Sequence, residues 1–189
     1  MRLGEGDRAP DIQGETISGE IVRPETVRGK PVLLKFYRFA GCPICNLHIR
    51  EYIRREDELV AAGITVIAVW HSSSRKLARS FRHLDLPFAL LADPQKRLFR
   101  AYRVEESWRG MVALPMWRAY IKAMRAGFLT RPFFHEGGVT GNPADFLIDA
   151  RGVVRHAHYG LHYADSLPVD RVLELTTELG LTHPARKAI

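Results

Sequence analysis

The sequence predicts an α/β protein with a central mixed sheet flanked by helices, and three observations carry that prediction. Two apolar runs rich in β-branched and aromatic residues, 31–39 and 64–70, are each followed by helical patterning, as parallel strands with crossover helices require. A later apolar run, 144–148, is joined to 153–159 by Asp149-Ala150-Arg151-Gly152, a hairpin turn with a late glycine. The 189 residues, 46% of them apolar, fit a single domain with a sizeable core.

In chain order, 31–39 reads as a buried strand that Gly41 ends, and an amphipathic helix runs from Pro43 to about Ala61. The run 64–70 is a second buried strand. Ser72-Ser73-Ser74 then cap a helix over 76–84. A short strand at 88–91 precedes Asp93-Pro94, an N-cap followed by a proline whose fixed φ suits a helix start, opening a helix over 95–102. After the hairpin, 168–179 forms a last helix stopped by Gly180. The parallel part of the sheet thus ends in an antiparallel edge.

Residues 104–141 are an insertion within this domain. Trp117, Tyr120, Ile121, Met124 and Phe128 recur at three- and four-residue steps, with Arg118, Lys122 and Arg125 on the other face. This basic amphipathic helix, 117–128, is either packed on the core with a solvated charged face or a lid and docking surface for an anionic partner.

Chemistry concentrates at Cys42-Pro43-Ile44-Cys45, which holds the only two cysteines of the chain, where the first strand hands over to a helix. The first turn of a helix has backbone N–H groups without internal partners and the positive end of the macrodipole. Cys42 takes the N-cap position and Pro43 the first helical one, so the amides of Ile44 and Cys45 are left to reach the Cys42 sulfur. That favours the thiolate and lowers the Cys42 pKa below the free value of about 8.5. Cys45, one turn further in, is placed to displace whatever Cys42 captures.

Other uses of the pair are weaker. A structural zinc needs four ligands, and there is neither a second cysteine pair nor a well-placed histidine, since His48 is on the same helix and expected on a charged side. A four-residue loop constrains the unfolded chain too little for a stabilising disulfide. His71 follows the second strand at the sheet edge that carries Cys42 and could act as acid or base toward a leaving thiol. His156 and His158 alternate on one strand face with His162 beyond, a pattern that can chelate a metal, though no metal is expected. Trp108 and Arg109 could line the site entrance. The formal net charge of +7 does not by itself indicate nucleic acid, because no basic cluster with interleaved aromatics accompanies it. Residues 1–7 carry no apolar run, so neither a secretory signal nor a membrane span is expected; a cytoplasmic location follows, which favours a cycling dithiol.

The Cys42 motif, Asn142-Pro143-Ala144-Asp145-Phe146-Leu147-Ile148-Asp149 with Gly152-Val153, and the opening Gly6-Asp7-Arg8-Ala9-Pro10-Asp11 resemble the thioredoxin-fold redoxins. The match is to the peroxiredoxin-like branch of the alkyl hydroperoxide reductase/thiol-specific antioxidant (AhpC/TSA) family. The resemblance implies a thioredoxin-like fold, with the helical insertion before a cis-proline strand and Pro143 as the cis-proline facing the cysteines. It also exposes departures. Phe39 stands where peroxiredoxins carry Thr or Ser, Lys35 where they carry proline, and Pro143 where they carry the peroxide-polarising arginine, for which Arg38, Arg109 or Arg118 could substitute.

Three functions share the pair. A thiol-disulfide oxidoreductase would attack with Cys42, resolve with Cys45 and shape the partner groove with Pro143. A thiol peroxidase would oxidise Cys42 to a sulfenic acid. A non-catalytic module would use the pair for redox sensing or metal holding. No cofactor beyond the Cys42–Cys45 pair is expected. The partner is a protein or low-molecular-weight thiol or disulfide, or a hydroperoxide, and an oligomer is left open.

Overall fold

The computed structural model describes residues 1–105, 113–128 and 141–181. The chain opens with a two-stranded antiparallel ribbon, β1 (Gly14–Glu15) and β2 (Ile21–Val22), and a single helical turn, α1 (Pro24–Val27). These short pieces carry no periodicity and went unseen in the sequence. There follow β3 (Val32–Tyr37), α2 (Pro43–Arg54), α3 (Glu56–Ala61), β4 (Thr65–Trp70), α4 (Ser74–Phe81), β5 (Ala89–Ala92) and α5 (Arg97–Ala101). Then come α6 (Leu114–Arg125), β6 (Ala144–Ile148), β7 (Val154–Tyr159) and α7 (Val169–Glu178). The sheet order is β5-β4-β3-β6-β7, with β3, β4 and β5 parallel and β6 and β7 antiparallel, as the sequence pattern predicts.

Local chemistry moves two boundaries. The helix expected from Pro43 to Ala61 is two helices, because Arg55 leaves helical geometry at φ −111°, ψ 22°. Its guanidinium forks onto Glu58 and reaches Asp170 at 2.7 Å, and Glu56, Asp57 and Glu58 form an acidic first turn suited to a new helix N-terminus. In α5 the helix starts later than Asp93-Pro94 suggests. Lys96 is left-handed at φ +53°, and the Asp93 carboxylate accepts from the amides of Arg97, Leu98 and Phe99 across that turn.

The α6 helix begins three residues earlier than its pattern indicates and turns a different face inward. Met116 and Ala123 are buried, with Ala119 and Tyr120 packed beside them, whereas Leu114, Trp117 and Ile121 are at least half-exposed or nearly so. Small alanines permit close approach to a neighbouring helix, a signal that scoring large apolar residues alone overlooks.

Strand alternation divides the core. Val32, Leu34 and Phe36 of β3 face Leu98, Phe99 and Tyr102 together with Phe146 and Ile148. On the other face, Leu33, Val66 and Leu147 pack on Tyr52, Leu59, Val172 and Leu175, while Tyr37, Ala68 and Trp70 pack on Ile49, Phe81, Met116 and both cysteines. Between these two apolar clusters lies a polar seam. Lys35 and Asp145, paired across β3 and β6, are both fully buried and form an ion pair. The Lys35 ammonium also donates to the Tyr52 hydroxyl at 3.2 Å and the Leu167 carbonyl at 3.3 Å. Asp145 accepts from the Leu167 amide at 2.8 Å and the Ser166 hydroxyl at 3.0 Å. Burial drives the Lys35 pKa down, and it opposes ionisation of Asp145 too, but the ammonium holds that carboxyl below its ordinary value.

Removing one partner of such a pair strands a buried charge. Lys35→Ala or Asp145→Ala alone should therefore lower unfolding free energy by about 3–5 kcal/mol. Lys35→Met combined with Asp145→Leu should recover most of that loss in urea denaturation. A single substitution costing under ~1 kcal/mol would be the behaviour of an exposed pair and would contradict the buried assignment.

Candidate active site

Beyond β3 the chain makes a braced loop that presents Cys42. The Arg38 carbonyl accepts from the His71 amide at 2.8 Å, and the Ala40 amide donates to the Ser72 hydroxyl at 3.0 Å, so the β4–α4 connection holds one side. From α2, the Asn46 side-chain amide donates to the carbonyls of Ala40 at 2.7 Å and Cys42 at 2.9 Å. Gly41 alone is exposed within 31–45, all the others being buried, so access to Cys42 runs over a residue without a side chain.

Cys42 is the N-cap of α2 with Pro43 at the first helical position, as expected. Both cysteines are free and buried. The Cys45 thiol donates to the Cys42 sulfur across 2.8 Å, and the Cys45 amide reaches the same sulfur at 3.4 Å. Arg38, at the end of β3, brings its guanidinium Nη1 to 3.8 Å from that sulfur. Its guanidinium lies 3.6 Å from the centroid of the Tyr163 ring, with Phe39 at 5.3 Å.

Opposing forces set the thiol's acidity. Burial, the largest influence, pushes the Cys42 pKa up. The Cys45 thiol hydrogen bond, the Arg38 charge and the amides of Cys45 and Ile44 together outweigh it and hold the pKa at about 6. The sequence anticipated the amides, but the sulfur–sulfur hydrogen bond and Arg38 rank above at least one of them. In Cys45, burial and the neighbouring thiolate both push the pKa well above its ordinary value. The site thus pairs an ionised sulfur with a protonated one.

Behind Cys45 the polar seam continues. The His48 Nε2 faces the Leu167 carbonyl at 3.1 Å, which only accepts, so Nε2 carries the proton and Nδ1 accepts from the Tyr37 hydroxyl at 3.0 Å. Burial and then Lys35 push the His48 pKa down to about 3. The histidine is therefore neutral and built into the interior, not on the charged side expected of it.

The other expected residues have the following surroundings. The bond preceding Pro143 is trans, correcting the cis-proline expectation: no described peptide bond is cis. A trans bond lets the chain run straight into β6, with the Pro143 carbonyl accepting from the Gly160 amide at 2.9 Å. Gly160 has room for no Cβ, which would stand 2.9 Å from the Pro143 ring and collide with the Asp165 carbonyl. His71 sets its ring edge-on to Phe99 at 6.2 Å, in the cluster on the opposite sheet face. His156 lies 3.4 Å from Glu5 and His158 3.2 Å from Asp165. Among the described residues no group of three or more His, Cys, Asp or Glu could hold a metal. Arg118 is exposed on α6; Trp108 and Arg109 lie outside the described residues. Tyr163 and the Lys35–Asp145 pair escaped the sequence reading. A lysine and an aspartate at inward positions of two apolar strands were the available signal for the pair.

The AhpC/TSA family model matches residues 5–157. The chain belongs to the AhpC/TSA family. Peroxiredoxin Bcp of Escherichia coli is 31% identical over 110 residues, 57% of this chain and 70% of that protein. A Mycobacterium tuberculosis protein named as a peroxiredoxin is 29% identical over 101 residues, 53% of this chain, and only 64% of that relative's length is matched. Among solved structures, peroxidoxin BcpB from Mycobacterium tuberculosis superposes with a TM-score of 0.69 at 17% identity, covering 94% of this chain and 98% of that one. A thiol:disulfide interchange protein DsbE from Chlorobium tepidum does so at 0.63 and 21%, covering 95% and 99%. The fold is thioredoxin-like, and the relatives matched in sequence are named as peroxiredoxins. No helix of the described residues is long and apolar enough to cross a membrane.

Were Cys42 and Cys45 to cycle through a disulfide, a thiol ionising at about 6 would stabilise the reduced form at neutral pH by about one unit and make that disulfide ~30 mV more oxidising. The sign follows from the depressed pKa: the stabilisation is present above the ordinary value of 9.0 and is lost as pH falls through about 6. The midpoint potential of the Cys42–Cys45 couple should therefore fall by ~59 mV per pH unit in acid, where two protons accompany two electrons, and by ~30 mV above. Equilibration against a redox buffer from acid to neutral pH measures the bend, expected at about 6. A single unbroken slope through neutrality would contradict an ionised Cys42.

Proposed function

We propose that this chain is a two-cysteine thiol-disulfide oxidoreductase in which Cys42 is the nucleophile and Cys45 the resolving thiol. The observation that carries this reading is the 2.8 Å separation of the two sulfurs, with Cys45 donating to Cys42. The Cys42 thiolate attacks one sulfur of a substrate disulfide, forming a mixed disulfide and releasing the other sulfur as a thiolate. Cys45 then gives its proton to the first released thiolate and attacks the Cys42 sulfur, releasing the second substrate thiolate and leaving the Cys42–Cys45 disulfide. An external dithiol returns the pair to its reduced state. The dithiol itself carries the electrons, so no bound cofactor enters the cycle.

Cys45 is helped by geometry and hindered by acidity. Its sulfur needs only a small approach to reach bonding distance, about 2.05 Å, but burial and, after it, the partner's charge raise its pKa, and only the second of these disappears on capture. Once Cys42 is in a mixed disulfide, the thiolate that opposes Cys45 ionisation no longer exists. Resolution is thereby gated to follow capture.

A second reading is favoured by Arg38. Hydroperoxide reduction would convert the Cys42 thiolate to a sulfenic acid and release an alcohol or water. Cys45 would then condense with the sulfenic acid, releasing water. The guanidinium 3.8 Å from the sulfur supplies positive charge where the family pattern places an arginine from another position. Phe39, however, provides no hydroxyl at the place of the usual Thr or Ser.

With oxidised glutathione as substrate, Cys42→Ser should abolish turnover, whereas Cys45→Ser should accumulate a glutathione adduct on Cys42 visible by intact mass. Retained turnover in Cys42→Ser, or no adduct on Cys45→Ser, would overturn the assigned roles. Stopped-flow oxidation by hydrogen peroxide decides the second reading. Reaction faster than free cysteine and slowed by Arg38→Met supports it, and a rate equal to that of free cysteine removes it.

A further inference from the structure

We infer that Tyr163 is a positioning residue for the Cys42 site, holding the Arg38 guanidinium against the sulfur from a loop that the buried Lys35–Asp145 pair ties down. The inference rests on the thiol chemistry proposed above but concerns what sets the acidity of Cys42, not which substrate it meets.

The geometry has three parts. First, the Arg38 guanidinium carbon lies 3.6 Å from the Tyr163 ring centroid, the separation of a planar cation stacked on an aromatic face. The same guanidinium presents Nη1 to Cys42 at 3.8 Å. Tyr163 is buried at 4% exposure in the cluster that holds both cysteines, so the stack covers Arg38 with an apolar surface. An arginine has four rotatable side-chain bonds, and without a lid its charged end gains by turning toward water. The ring restricts that motion and lowers the local dielectric, which strengthens the attraction between guanidinium and thiolate.

Second, Tyr163 sits in the β7–α7 connection, whose shape is fixed by side chains of Asp145, Asp165 and His158. The Leu161 amide donates to Asp165 Oδ2 at 2.8 Å, and His158 Nε2 meets the Asp165 carbonyl at 3.1 Å. The Ser166 hydroxyl and Leu167 amide donate to Asp145, while Leu167 also accepts from Tyr52 at 2.7 Å. Gly160 opens the connection in close contact with Pro143 and Asp165, where a Cβ does not fit.

Third, Lys35 anchors the far side of this arrangement by gripping Asp145, Ser166 and the Leu167 carbonyl at once. The ion pair that divides the two apolar clusters is thus also the foundation of the loop that carries the ring. A core interaction and the reactive sulfur are connected through one aromatic face.

The test is the pH profile of Cys42 alkylation by iodoacetamide in reduced protein, because it reads the thiolate directly and needs no turnover. Tyr163→Leu should move the profile up by about one pH unit, which is about tenfold less thiolate at pH values below the midpoint. Tyr163→Phe, which keeps the ring, should restore the profile. In an Arg38→Met background, Tyr163→Leu should produce no further shift, since the ring has no cation left to hold. A Leu variant with an unchanged profile, or one shifted equally with and without Arg38, would overturn the inference. If Tyr163→Leu does not fold, Tyr163→Phe and Tyr163→Met compared by the same profile decide: a Met profile matching that of Phe overturns it. Loss of glutathione turnover with an intact profile would instead count against the proposed function, so the two failures are distinguishable.

Discussion

A sulfur anion kept out of water is the constraint on which the rest of this structure depends. Burial alone would neutralise Cys42, and each neighbouring feature offsets that tendency in a particular way. A second thiol sits one helical turn ahead and donates to the sulfur. A proline at the first helical position leaves the next amides free to turn toward the cap, and one of them reaches it. An arginine at the end of the central strand contributes full charge where the helix contributes only partial charge. The reactive site is thus an electrostatic balance at the mouth of α2, supplied by the strand before it and the helix after it.

That balance is built on a core divided by charge. Most sheets of this kind fill both faces with apolar side chains, but here Lys35 and Asp145 occupy opposite positions on β3 and β6, both fully buried. Such pairs add little net stability over apolar replacements, because desolvation consumes most of the attraction. What the pair provides here is position: it fixes Ser166 and Leu167, and with them the chain that passes over the cysteines. The neutral His48, held between Tyr37 and Leu167, extends the same seam to the helix that bears Cys45.

The sheet was legible because its signals are dense and local. The runs at β3, β4 and β6 are long and apolar, and the Asp149–Gly152 turn is closed by the Asp149 carboxylate accepting from the amides of Arg151 and Val153, with Gly152 at φ +80°. The cysteine motif announced the place of Cys42 at a helix start. Tyr163 was not legible, since it lies 121 positions from Cys42 in sequence and meets Arg38 only through tertiary packing. The inward face of α6 was only partly legible: Tyr120 packs inward as expected, but the rest of the contact surface is built from Met116, Ala119 and Ala123, leaving Trp117 and Ile121 outside. The cis isomer expected at Pro143 came from a family pattern, whereas the bond preceding Pro143 here is trans and its carbonyl pairs with the Gly160 amide.

The most direct test of the account is carbon NMR of the cysteine Cβ atoms in the reduced protein, followed through a pH titration. Cys42 should ionise with a midpoint of about 6 while Cys45 stays protonated through the range in which a free cysteine ionises. Both carbons titrating together near the free value of about 8.5 would show that burial prevails over the donors, and the account would be wrong.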